Sequence, residues 1–186
     1  MGFENREDAG QQLSTLLIEK NISADCVITI PRGGIPVALV VAKSLHLPLK
    51  LILVRKLGHP INSEFAIGAI TEKNILVHND SFIKEGHPEI AAPTTKYKNV
   101  ILVDDGIATG TCIELAIEEL RKNGAKTITV ATPVCPFNTY QHIKKIADET
   151  ICCIVAQQFT GISAFYHNFE QLSDDQVKNL LEHVQN

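Results

Sequence analysis

Two rhythms alternate along this chain. Short aliphatic runs, apolar at nearly every position, are separated by stretches in which apolar residues return every third or fourth position. A run with no polar side suits a strand covered on both faces, and the helical spacing marks the layers that cover it. The pattern predicts a first helix over 8–20, with Ala9, Leu13, Leu16 and Leu17 on one face. A strand over 26–30 breaks at Pro31-Arg32-Gly33-Gly34, and a buried helix over 36–45 follows with proline in its first turn. A second strand over 49–54 ends in Arg55-Lys56. From 57 to 98 the rhythm weakens: 65–70 and 75–77 read as short strands between loop signals such as Gly58-His59-Pro60. A stretch that long with little regular structure predicts either a mobile functional loop or disorder. Order returns with a strand over 100–103 and an amphipathic helix over 110–123, closed by Gly124. A strand over 128–132, a helix from an Asn138 N-cap to Ala147, a strand over 151–155 and a last helix capped by Ser173 complete the chain. This βαβ alternation predicts an α/β fold: an open, mainly parallel sheet with helices on both faces, in one domain spanning 1–186.

Composition narrows the class. Hydrophobic residues at 45% and charged residues at 20% fit a globular protein. The formal net charge of −4 argues against nucleic acid as a partner, since that surface wants clustered Lys and Arg. No run reaches the roughly 20 apolar residues of a membrane-spanning helix, and residues 1–8 lack the apolar core of a secretory signal. The cysteines Cys26, Cys112, Cys135, Cys152 and Cys153 form no C-x-x-C pair, and most sit in strand-like runs. Free thiols in a reducing, cytoplasmic compartment are therefore expected. The seven histidines show no metal-ligand spacing.

The chemistry concentrates in Val100-Ile101-Leu102-Val103-Asp104-Asp105-Gly106-Ile107-Ala108-Thr109-Gly110-Thr111-Cys112. Four aliphatics make a buried strand, so both carboxylates emerge at its carboxyl end, the edge where open α/β sheets hold ligands. The small, hydroxyl-bearing residues after them lead straight into a helix. Such a turn aims backbone N–H groups, backed by the helix dipole, at one point and forms a phosphate site. Carboxylates beside a phosphate cradle must face something else, and ribose hydroxyls or a magnesium pyrophosphate are natural partners. A receiver-type domain would instead place its acidic pair after the first strand, whereas here the pair follows a late one. A solvated loop is the plainest alternative for two acids at a strand end.

This segment resembles the signature by which type I phosphoribosyltransferases bind phosphoribosyl pyrophosphate (PRPP). The resemblance implies that Asp104 and Asp105 contact the ribose 2′ and 3′ hydroxyls, as the catalytic acids, within a ribose and 5′-phosphate site running through Gly106, Ile107, Ala108, Thr109, Gly110 and Thr111. Within it, the backbone and hydroxyls of residues 108–111 take the phosphate. Gly106 stands where an aliphatic is more usual, and Thr111-Cys112 replaces a small residue followed by threonine. Arg32-Gly33-Gly34 resembles the family's pyrophosphate loop, and its arginine fork matches phosphate oxygens. Arg55 and Lys56 would add a second cationic contact. The weak region 57–98 falls where these enzymes close a flexible loop over PRPP, and 157–186 where a hood and C-terminal helix select the acceptor. Phe159, Phe165 and Tyr166 are candidates to stack on that acceptor or to pack in the core. Residues 3–10, 60–70 and 165–177 resemble bacterial proteins known only as phosphoribosyltransferases.

The implied reaction is displacement at C1′ of PRPP by a nitrogen nucleophile, a nucleobase-like acceptor, with Mg²⁺ as cofactor and pyrophosphate as leaving group. Mg²⁺ would come with PRPP, near Asp104 and Asp105, with no direct ligand assigned in the chain. No general base stands out. A homodimer is the expected assembly, with neither nucleic acid nor membrane as a partner. The second reading, from a different class, is a PRPP-sensing regulator on the same fold that does not turn over.

Overall fold

The computed structural model describes residues 2–52, 54–58, 66–71 and 97–182. Its elements, in chain order, are α1 (Arg6–Glu19), β1 (Cys26–Thr29), α2 (Gly34–Leu45), β2 (Leu49–Leu51), β3 (Val54–Gly58), β4 (Ala66–Thr71) and β5 (Asn99–Val103). Then follow α3 (Thr111–Lys122), β6 (Thr127–Pro136), α4 (Phe137–Ile143), β7 (Glu149–Ala156), a 3₁₀ turn (Ile162–Phe165) and α5 (Asp174–Glu182). Five strands form one sheet in the order β2-β1-β5-β6-β7, every neighbouring pair parallel. The expected α/β architecture with an open parallel sheet is present.

Strand side chains divide between two layers. On one face Val27, Ile101, Val103, Ala131 and Ile151 pack with Leu13 and Leu17 of α1, Ile35, Val37 and Val41 of α2, and Val177 of α5. On the other, Cys26, Ile28, Val100, Leu102, Ile128 and Val130 pack with Ile113, Ala116, Ile117 and Leu120 of α3 and Ile143 of α4. Alternate residues of one strand therefore feed opposite cores, which is why the runs contain no polar position. The cysteines among them are free. Burial pushes the thiols of Cys26 and Cys135 up to about 12 and that of Cys153 up to about 11, so they remain neutral packing groups.

The helices start and stop for local reasons. Asn5 caps α1, its Oδ1 accepting from the N–H groups of Glu7 at 2.9 Å and Asp8 at 3.0 Å. Gly124 follows α3 at φ 93°, where a left-handed residue ends a helix. Ser173 and Gln176 bond reciprocally at the head of α5: Ser173 N–H to Gln176 Oε1 at 2.8 Å, and Gln176 N–H to Ser173 Oγ at 3.2 Å.

Three expectations need correction. The run 49–54 is not one strand: β2 ends at Leu51, and β3 begins at Val54 in a separate antiparallel ribbon with β4. Arg55 and Lys56 consequently sit within that ribbon rather than at the end of a core strand. Asn138 does not cap a helix; α4 starts one residue earlier, after Pro136, and ends at Ile143. Strand β6 runs on to Pro136 because its ladder with β7 continues to that residue, although its pairing with β5 stops at Ala131. Prolines at 133 and 136 are tolerated along that open edge. The expected strand 75–77, and most of the expected flexible loop 57–98, lie outside the described residues.

Candidate functional site

The strand order places the site. From β1 the chain passes through α2 to β2 on one side, and from β5 it passes through α3 to β6 on the other. The two connections diverge from adjacent strands, leaving a crevice at their carboxyl ends. Thr29, buried at the end of β1, draws the two strand ends together by donating to Val103 O at 2.8 Å.

A cleft of about 270 Å³ occupies that crevice. All of residues 104–110 line it, facing Ile30, Pro31 and Gly33 from the loop after β1, with Val54, Cys112, Ile113 and Ile162 completing the wall. The loop after β1 approaches closely: a Cβ on Gly33 would overlap the Asp105 carboxylate, so a side chain there would have to displace that acid. The peptide bond between Pro31 and Arg32 is cis. Arg32 is exposed, Gly34 is the buried first residue of α2, and Thr111 opens α3 beside the cleft.

The turn into α3 is built as a cradle. Gly110 takes φ 87°, a left-handed conformation, and a Cβ there would press on Thr139 and Ile143. From Gly110 the helical ladder begins, with Glu114 N–H bonded to Gly110 O at 2.9 Å. The N–H groups ahead of it point out of the helix end, where the dipole favours an anion. The Thr109 and Thr111 hydroxyls lie 3.3 Å apart at this end. Thr139 of α4 braces the turn by donating to Ala108 O at 2.8 Å. Ile107 has a different part: its N–H donates to Val134 O at 2.9 Å and its side chain is buried, so it anchors the loop to β6.

The two acids differ in surroundings. Asp104 Oδ1 accepts from the Asp105 N–H at 3.0 Å, folding the first carboxylate back over the start of the loop. Asp105 is 7% exposed and receives Arg6 Nε on Oδ2 at 2.7 Å. Burial pushes its carboxyl above the ordinary value, and Arg6 opposes that shift by hydrogen bond and charge. Tyr166 donates its phenol to Asp105 O at 2.6 Å, and burial raises that phenol far above its usual range.

Sequence reasoning missed Arg6, Thr139 and Ile162 as parts of this site, and took Tyr166 for a stacking or core residue rather than a donor to Asp105. Ile162 explains Gly106: its Cγ2 would lie 2.5 Å from a Cβ built there, so Ile162 occupies the space an aliphatic would need. Of the aromatic candidates, Phe159 stacks on Phe165 with centroids 5.8 Å apart, and Tyr166 packs on Phe3 and Phe169. They pack with Phe3, Ala9 and Val134 in a small core of their own, to which Ile162 also belongs while reaching the cleft. Arg55 and Lys56 follow Val54, whose side chain lines the cleft.

Among the described residues no helix is long and apolar enough to cross a membrane. Comparison with known proteins identifies the family. A family model described as phosphoribosyl transferase domain matches residues 3–170. Rv0571c of Mycobacterium tuberculosis, provisionally named a phosphoribosyl transferase, is 35% identical over 205 residues, a match spanning 97% of this chain and 46% of that protein. The chain thus spans about half the length of that relative. A transcriptional regulator, GfcR, from Methanosphaera stadtmanae is 31% identical over 125 residues, covering 66% of this chain and 50% of that one. The crystal structure of TT1426 from Thermus thermophilus superposes with a TM-score of 0.79 at 31% identity, covering 98% of this chain and 99% of that one. The chain belongs to the phosphoribosyltransferase family.

Proposed function

We propose that this chain binds PRPP in the cleft between β1 and β5 and transfers its phosphoribosyl group to a nitrogen nucleophile, a nucleobase-like acceptor, releasing pyrophosphate. The observation that carries this reading is the convergence of residues 104–110 and the Pro31–Gly33 turn on one cleft at the sheet's carboxyl edge. Asp104 and Asp105 hold the ribose hydroxyls. Backbone N–H groups of residues 108–111, with the Thr109 and Thr111 hydroxyls, hold the 5′-phosphate. Gly33 and Gly34 bring backbone against the pyrophosphate, Arg32 and the Arg55-Lys56 pair supply cations to it, and Ile162 faces the acceptor. Among the described residues no group of three or more His, Cys, Asp or Glu could hold a metal by itself. A magnesium ion would accordingly arrive on the pyrophosphate oxygens as part of the substrate.

In the reaction the C1′–O bond to pyrophosphate breaks, its electron pair leaving with pyrophosphate, while the acceptor nitrogen forms the new C1′–N bond and loses its proton to solvent. The chain's contribution is positioning and electrostatics: cations and N–H groups stabilise the leaving group, and the acid pair fixes the sugar whose C1′ becomes positive. Five free cysteines fit a reducing, cytoplasmic setting. A second reading, a PRPP sensor without turnover, draws support from the relative named a transcriptional regulator. Pyrophosphate release from PRPP, measured across a panel of purine and pyrimidine bases, decides between them. Release with at least one base is expected; PRPP binding with no release for any base would favour the sensor.

A further inference from the structure

We propose that Arg6 is a positioning residue for Asp105, fixing the second acid of the cleft in the orientation that receives the sugar. The inference rests on the reading of Asp105 as a ribose ligand and deepens it.

Arg6 opens α1, and three sets of contacts hold it in place. The Asn5 cap sets the helix start. Residues 3 and 4 are zipped to the segment after the 3₁₀ turn: Phe3 N–H to Phe165 O at 2.7 Å, His167 N–H to Phe3 O at 2.9 Å, and Asn168 N–H to Glu4 O at 2.9 Å. The guanidinium itself lies 3.8 Å from the Phe169 ring centroid and donates from Nη1 to Glu170 O at 2.8 Å. Its Nε is thereby aimed at Asp105 Oδ2, and the pair is nearly closed to solvent, with side chains 11% and 9% exposed.

A buried ion pair costs desolvation on both partners, and apolar side chains of similar size often serve stability as well or better. Tethering the two ends of the chain does not require Arg6, because the backbone zipper already joins them. What a cation does here is orient a buried carboxylate while opposing the upward push of burial on it. With Oδ2 held by Arg6, Gly33 packed against the carboxylate and the Tyr166 phenol bonded to Asp105 O, the side chain is held in one place beside the cleft, and in this proposal it meets the ribose hydroxyl there. Arg6 acts through Asp105 and is not itself in the lining of the cleft.

A double-mutant cycle in PRPP affinity, read by calorimetry, tests the idea. Arg6→Gln should weaken PRPP by about tenfold where Asp105 is present, and by less than about twofold in an Asp105→Asn background that retains Asp104. Arg6→Lys, which keeps a cation near Oδ2, should recover affinity to within about threefold of wild type. Should Arg6→Gln not fold, as judged by circular dichroism, Phe169→Leu removes the ring under the guanidinium and should weaken PRPP about threefold, again only with Asp105 present. Wild-type affinity in Arg6→Gln, a loss equal in both backgrounds, or a lysine variant no better than glutamine would overturn the assignment. Failure of the wild-type protein to bind PRPP at all would instead sink the functional reading beneath it.

Discussion

At Gly106 the missing side chain has a direct chemical consequence. Ile162 fills the space beside it and gives the cleft an apolar wall, which under the proposed function faces the acceptor. Enlarging the residue that faces Gly106, Ile162→Phe, should narrow that side from outside the 104–111 turn, lowering kcat/KM for the acceptor by at least about tenfold while PRPP affinity changes little. Steady-state pyrophosphate release with separate calorimetry would show whether the two separate. The acids and the loop behind them were legible in the sequence because strand, carboxylates and small residues are contiguous. Their partners were not. Arg6 lies 99 positions from Asp105, and Tyr166 lies 61 positions away. No local pattern announces that a helix N-terminus and a distant tyrosine will meet at one carboxylate, and Ile162 reads as an ordinary loop aliphatic.

Between elements, small ties set the strand ends that shape the cleft. Asp25, just before β1, accepts from the N–H groups of Lys98 and Asn99 at 2.8 Å each, clamping the amino ends of β1 and β5 together. Those backbone hydrogen bonds, that from Asn99 first, hold its carboxyl below the ordinary carboxylate value. A depressed folded-state pKa contributes stability that is present above the unfolded value and lost as pH falls through the lower folded one. Asp25→Ala should therefore lower the urea midpoint at pH 7, and the gap to wild type should close as the buffer is taken below about pH 4. A gap that stays constant with pH would mean the clamp does not depend on the charge. The elements themselves were mostly legible, because alternate strand residues feed two cores and strip out polar positions. The break between β2 and β3 was hidden by the same continuity: Leu49, Ile52 and Val54 are all apolar, whether in the main sheet or in the ribbon. Asn138 misled because a good capping residue and the true helix start lie one position apart, with Phe137 already helical.

Across the whole molecule, the parallel sheet and the divergence of its connections at β1 and β5 create one crevice, and the chain's N- and C-terminal segments close in from the side to fix the second acid. A fold of this kind supports many chemistries, so the function rests on the site rather than the sheet. The site's central claim is that the turn of residues 104–111 embraces a phosphorylated sugar. Titration calorimetry of PRPP with magnesium into wild type and into the Asp104→Asn, Asp105→Asn double variant tests it most directly. Saturable binding by wild type and no measurable binding by a double variant that keeps the wild-type circular dichroism spectrum is the predicted result; equal affinity in the two proteins would contradict it.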